Sequence, residues 1–328
     1  MKFFTRAALS RPYFLNSTEV FEMDSAQIVL YQITVMFIMI LLGYFLWKRK
    51  IFTEQGCKQL SELVLTVVCP ALIFVSFQKE LEPRLIRGLL ISFGLSVLSH
   101  IVSIALGTIF CGKRRGADGS VERFAAAYSN CAFMGIPLIE AVYGTDGIFY
   151  LTAYIAVFNL LTWTHGVMSM TEKMDFRSAV NALKAPAVIA TAVGLAAFFL
   201  QIRLPNIIMQ PLNYISSLNT PLAMLISGMT IARSDILAAL KKPGIYLTGL
   251  IKLILAPLAV ALIMSPMGIE PMIADTIIIS TACPTATMTI MFASRYEKNS
   301  VYAAEIFAVS TIASAATIPL VLLVSSLL

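Results

Sequence analysis

Of the 328 residues, 58% are hydrophobic and 13% are charged, and the mean hydropathy is +0.83. A soluble domain carries roughly 25% charged residues, so the expected outer solvent is lipid. The net charge of +6 does not point to nucleic acid, because the basic residues sit in short clusters between apolar runs. Five cysteines at irregular spacing, with no CxxC, exclude a disulfide framework and a zinc site, and no metal or other cofactor is expected.

Residues 1–26 read as a polar tail. Lys2, Arg6 and Arg11 lie there without the apolar stretch of a signal peptide, and Met23 is the expected start of translation. Ten apolar segments of membrane-crossing character follow, at 27–47, 63–77, 88–111, 125–144, 147–170, 186–202, 207–231, 244–265, 274–294 and 303–328. The fourth and fifth are parted only by a Gly144–Gly147 turn.

Lys and Arg concentrate in cytoplasmic loops. Sixteen of the 24 fall after the odd-numbered segments, seven on the other side, and Lys252 lies within a span. That bias places both termini outside the cell membrane, the inner one in a bacterium. Gly43 and Gly194 stand 151 residues apart, as do Pro70 and Pro221, and Cys131 and Cys283 stand 152 apart. The near-constant offset suggests two repeats, 27–170 and 186–328, joined by a cytoplasmic linker at 171–185. Five segments per repeat is odd, so the second repeat enters from the opposite side.

Segments four and nine carry the chemistry. Segment four contains Ser129-Asn130-Cys131-Ala132-Phe133-Met134-Gly135-Ile136-Pro137, and segment nine Ser280-Thr281-Ala282-Cys283-Pro284-Thr285-Ala286-Thr287-Met288-Thr289. Pro137 and Pro284 each remove a backbone donor and free the carbonyl four residues back, that of Phe133 or Ser280. Such groups persist in a membrane only inside protein or beside a wet cavity. Two interrupted helices in corresponding positions mark a transporter's binding site, and half-helix N-termini suit an anion. For one such helix the alternative is close packing through small residues and a kink; the pair, with its polar side chains, favours a site.

Asn130 to Leu138, followed by Tyr143-Gly144, resembles the fourth helix of the auxin efflux carrier family, which includes the plant PIN-formed carriers and many bacterial permeases. Pro284 to Tyr296 resembles that family's ninth helix. The resemblance covers about residues 27–328 and implies ten transmembrane helices as two inverted five-helix repeats, with broken helices four and nine crossing at the site. It implies a scaffold of helices one, two, six and seven, through which a homodimer would form, and a mobile unit of three to five and eight to ten. It also implies elevator-type transport of a small organic anion, auxin-like or malate-like. The sequence departs from the plant carriers at Ser129, where they have proline, and at Thr285, where they have glutamine, and it lacks their long loop. On this reading Asn130, Cys131, Thr285 and Asn159 bind substrate, and Gly135, Pro137 and Pro284 make the breaks.

Lys252 is an intramembrane charge, expected to balance a bound anion or to cap freed carbonyls; snorkelling is the plainer alternative. Asn159 is divided evenly between substrate contact and interhelical bonding. His100 and His165 are expected to be hydrogen-bonded structural histidines, and Glu140 and Glu305 to be interfacial. Ser76, Ser227 and Gly228 are expected in close scaffold packing. An ion-coupled carrier of the related crossed-helix fold would need an acid near mid-span, and none stands there. An intramembrane enzyme lacks its motifs, and a ligand sensor that does not transport is the remaining class.

Overall fold

The computed structural model describes residues 25–111, 117–171 and 183–328. The N-terminal tail with Met23, the basic cluster Lys113–Arg115 and most of the 171–185 linker lie outside the described residues. Those described form helices throughout, and the one extended pairing among them is a two-residue bridge. In chain order the helices are α1 Ser25–Lys48, α2 Glu54–Ser76, α3 Pro83–Cys111, α4 Ala117–Ala127, α5 Cys131–Thr171, α6 Pro186–Phe199, α7 Asn206–Ser217, α8 Asn219–Arg233, α9 Ile236–Ala239, α10 Pro243–Met267, α11 Pro271–Ala282, α12 Met288–Arg295 and α13 Ser300–Ser325.

Seven of the continuous helical stretches are long and apolar enough to cross a membrane, and α6 and α11 are shorter apolar helices. Each expected segment coincides with helix, but the boundaries differ where composition misleads. α2 starts at Glu54, nine residues before the expected 63, because its first turns are amphipathic: Cys57 is buried while Glu54 and Lys58 face outward. Thr53 caps it, its hydroxyl accepting from the Gly56 N–H at 3.1 Å. Segments four and five share α5, which changes direction at Gly144 alone (φ 61, ψ −149), a conformation that strongly favours glycine.

Two helix pairs organise the bundle. α1 packs along α8, and the C-terminal half of α2 packs along α6. Under a repeat that maps segment one onto six and two onto seven, these two pairs are one contact made twice. In the first, backbones touch: a Cβ on Gly228 would lie 1.9 Å from the Ile40 carbonyl, and one on Gly43 would lie 2.3 Å from that of Leu225. In the second, Gly194 leaves room for the Phe77 ring. Backbone cannot give way as a side-chain tip can, so Gly228→Ala is expected to destabilise the purified protein by on the order of 3 kcal/mol. Thermal unfolding in detergent checks this, with Gly249→Ala, whose Cβ would meet nothing within 4 Å, as the neutral control.

Polar contacts tie other elements. Lys79, after α2, reaches Thr145 and Asp146 beside the Gly144 bend. At the other end of the bundle Lys242 meets Glu305 at 2.5 Å, and Tyr302 donates to Glu122 at 2.7 Å. Glu305, near the start of α13, is 3% exposed, and its partner Lys242 makes that burial tolerable. Glu140 is half-buried.

Candidate functional site

α4 ends at Ala127 and α5 begins at Cys131; α11 ends at Ala282 and α12 begins at Met288. The two interruptions meet. Ser129 and Thr285 form an isolated antiparallel bridge: Asn130 N–H donates to the Pro284 carbonyl at 2.8 Å, and Ala286 N–H to the Tyr128 carbonyl at 3.0 Å. The two bonds exchange when Ser129 is superposed on Thr285, so the local equivalence has an offset of 156 residues. Cysteine on cysteine (152) and Asn130 on Thr285 (155) both miss that register. Cys131 follows the crossing by two residues and Cys283 precedes it by two, so matching cysteines pairs opposite sides of the bridge.

The crossing frees backbone groups that the fold re-satisfies. The Thr285 N–H donates to the Ser310 hydroxyl at 3.3 Å instead of to the Thr281 carbonyl. That carbonyl is taken by Lys252 Nζ at 2.9 Å, while the same ammonium donates to Ser129 Oγ at 2.5 Å. Lys252 is fully buried in the wide π-type turn Ile251–Leu255 of α10 and reaches both broken elements; it does not snorkel. Ser99 donates to Thr281 Oγ1 at 2.7 Å, since the Thr281 hydroxyl is itself donating to Ile277. His100 donates from Nδ1 to the Ser96 carbonyl at 2.7 Å, with its ring 4.6 Å from that of Tyr154. His165 meets Tyr128 Oη at 2.9 Å through Nδ1, the nitrogen that donates, because Tyr128 already donates to Leu161.

The expected site residues separate into groups. Asn130 is 5% exposed, precedes the first turn of α5, and its Nδ2 has no hydrogen-bond partner. Thr287 Oγ1 and Thr289 Oγ1, flanking the start of α12, are buried without partners as well. A buried donor left unpaired costs about 1–3 kcal/mol, so three beside two half-helix N-termini describe a place that a ligand would complete. Thr285, by contrast, spends its hydroxyl on the Ala125 carbonyl at 3.2 Å. Cys131 is fully buried in the wide turn that opens α5. Asn159 donates to the Ile155 carbonyl of its own helix at 2.8 Å and is half-buried. Pro137 lies just beyond the wide turn Cys131–Gly135, within which Gly135 meets Cys283 Sγ; a Cβ there would be 3.5 Å from that sulfur. Pro284 stands in the second break and lends its carbonyl to Asn130. Among the described residues no cluster of acids, histidines and cysteines could hold a metal ion.

Interrupted helices that meet inside a helical bundle and leave polar groups unpaired there are the architecture of a membrane transporter. The sequence profile described as "Membrane transport protein" matches residues 28–178 and 168–322. The chain belongs to this family, that of the auxin efflux carriers which the segment-four motif resembles. It is 24% identical to the uncharacterized transporter YfdV of Escherichia coli K12 over 307 residues, covering 88% of this chain and 95% of that one. It is 22% identical to an uncharacterized transporter of Methanocaldococcus jannaschii over 81% of this chain and 88% of the other. A Rhizobium meliloti protein that carries the provisional name malonate transporter is 24% identical over 85% of this chain and 90% of its own.

Proposed function

We propose that this protein is a secondary transporter of a small organic anion, a short dicarboxylate such as malonate, and that it works by an elevator-type alternating-access movement. The observation that carries the reading is the unpaired, buried Asn130 Nδ2 at the start of α5, with the Lys252 ammonium one residue away on Ser129. A carboxylate beside Asn130 would accept from that amide and from the first N–H groups of α5 and α12, in the field of Lys252 and two positive helix ends. The family membership and the name of the Rhizobium relative support the substrate class. Asn159 and Thr285 carry less of this reading than Asn130, because their polar atoms are already engaged.

The proposed layout is ten spans in two inverted repeats, α5 supplying two, with both termini outside the inner membrane. α1, α2 and α6–α8 form the fixed scaffold, which is also the dimer surface, and α3–α5 and α10–α13 form the moving unit. The Lys79 contact with Thr145 and Asp146 links the two units on one face, so it must break in each cycle. Uptake of labelled malonate by proteoliposomes tests the reading. Concentrative or exchange uptake is expected, abolished by Asn130→Asp and blocked reversibly by a disulfide between cysteines placed at Lys79 and Asp146. Absence of uptake for malonate, malate and aromatic acids alike would overturn it, as would transport that survives the cross-link.

A further inference from the structure

A second buried amide stands without partners. Asn219 opens α8, is 1% exposed, and neither its Nδ2 nor its Oδ1 is hydrogen-bonded. Its level in the bundle follows from its neighbours. At the far end of α8, Arg233 pairs with Glu54 at 2.9 Å. From there α8 runs beside the first part of α2, and α7 continues beside Cys69–Ser76, so α2 and α8 are antiparallel. Fourteen residues from the ion pair along α2 is Val68, and fourteen back along α8 is Asn219. α8 also packs against the wide turn Cys131–Gly135, which Asn130 directly precedes. The face is also defined. Gly228 points at α1, and nine residues at 100° each turn Asn219 to the opposite side of α8. Besides α1, the helices that α8 touches include α2, α13 and α5, the last at its wide turn Cys131–Gly135.

We propose that Asn219 is a specificity residue that binds the second carboxyl group of a dicarboxylate in its protonated form; this rests on the reading of the crossing as an anion site. The chemistry follows from both atoms being unpaired. A carboxylate accepts only and would leave Oδ1 unsatisfied. A carboxylic acid accepts from Nδ2 through its carbonyl and donates to Oδ1 through its hydroxyl, completing the amide. The substrate is thus a hydrogen-dicarboxylate monoanion, its charged end at Asn130 and its neutral end at Asn219.

Binding to the purified protein, measured by calorimetry at two pH values, tests this with malonate, its monoamide malonamate, and propionate. For the parent, affinity for total malonate is expected to rise as pH falls toward the second pKa of malonate, while malonamate, whose amide makes the same paired contact, binds without that pH dependence. Asn219→Ala should weaken malonate and malonamate about tenfold, leave propionate unchanged and remove the pH dependence. Asn219→Leu should do the same while raising Tm, because it removes two unpaired polar atoms from the interior; a packing residue would instead lower Tm. Equal losses for all three ligands, or unchanged malonate binding in both variants, would overturn the inference and leave the anion site standing. A parent that binds none of the three would overturn both.

Discussion

Asn130→Asp is expected to abolish anion binding. The change deletes the unpaired Nδ2 donor, about 1.5–3 kcal/mol for a hydrogen bond to a charged group. It also sets a negative charge against the ligand, about 3–4 kcal/mol at ~4–5 Å and an effective dielectric constant of ~20. A total of about 5 kcal/mol is more than a thousandfold in affinity at ~1.4 kcal/mol per decade. The new carboxylate would also draw Lys252, whose Nζ is on the neighbouring Ser129, and so consume the positive charge that the anion needs. Asn130→Ala, which loses only the donor, should cost about tenfold. Cys131→Ser, a small polar replacement one residue on, should bind as the parent does. Calorimetric titration with malonate at matched, monodisperse protein checks the series. Parent-like binding by Asn130→Asp would remove the α5 terminus from the site.

Lys252→Met is expected to lower anion affinity about 30-fold, from the loss of about 2 kcal/mol of attraction at ~8 Å with the same dielectric constant. Folding stability should move far less. Two hydrogen bonds to Ser129 and Thr281 disappear, but so does the desolvation cost of a buried ammonium, and these oppose each other. Ser129 Oγ, already 3.3 Å from the Thr281 carbonyl, remains to hold it. Lys252→Gln separates charge from clamp: it can still donate to Thr281, so it should match Lys252→Met in affinity while keeping the parent's Tm. If Lys252→Gln binds anion as the parent does, the ammonium serves the crossing alone.

The helices were legible because lipid demands long apolar runs and each run declares itself. The interruptions at 128–130 and 283–287 were legible because Asn130 and Pro284 are expensive in a span without a purpose, whereas Pro137, expected to make the first break, lies inside continuous α5; Lys252 was legible because it is a charge where charge is costly. What could not be read depends on which residues meet. Nothing in 54–62 announces a helix that hides Cys57 and shows Glu54. That Ser129 meets Thr285 where the two interruptions touch is likewise something no residue match reveals. Asn219 passed as one polar residue in a long segment; its place before Thr220-Pro221, in the segment matching Cys69-Pro70, was the available signal. Asn159 is divided in sequence between substrate contact and interhelical bonding, and its amide is engaged with Ile155 of its own helix.

Among the described residues three helices contain wide turns: α2 at Val64–Val68, α5 at Cys131–Gly135 and Thr162–Gly166, and α10 at Ile251–Leu255. Each such turn accommodates one residue more than the α-helical ladder around it. An extra residue in a regular helix would rotate everything beyond it by about 100° and turn a lipid-facing stripe inward. The wide turn absorbs that rotation locally, so the two flanks keep their faces while the bulge aims its own side chains independently. Lys252 occupies such a bulge. Its direction toward the crossing is therefore uncoupled from the lipid-facing pattern of α10, and a lineage could gain, lose or redirect this charge by a single-codon insertion or deletion without re-sorting the rest of the helix.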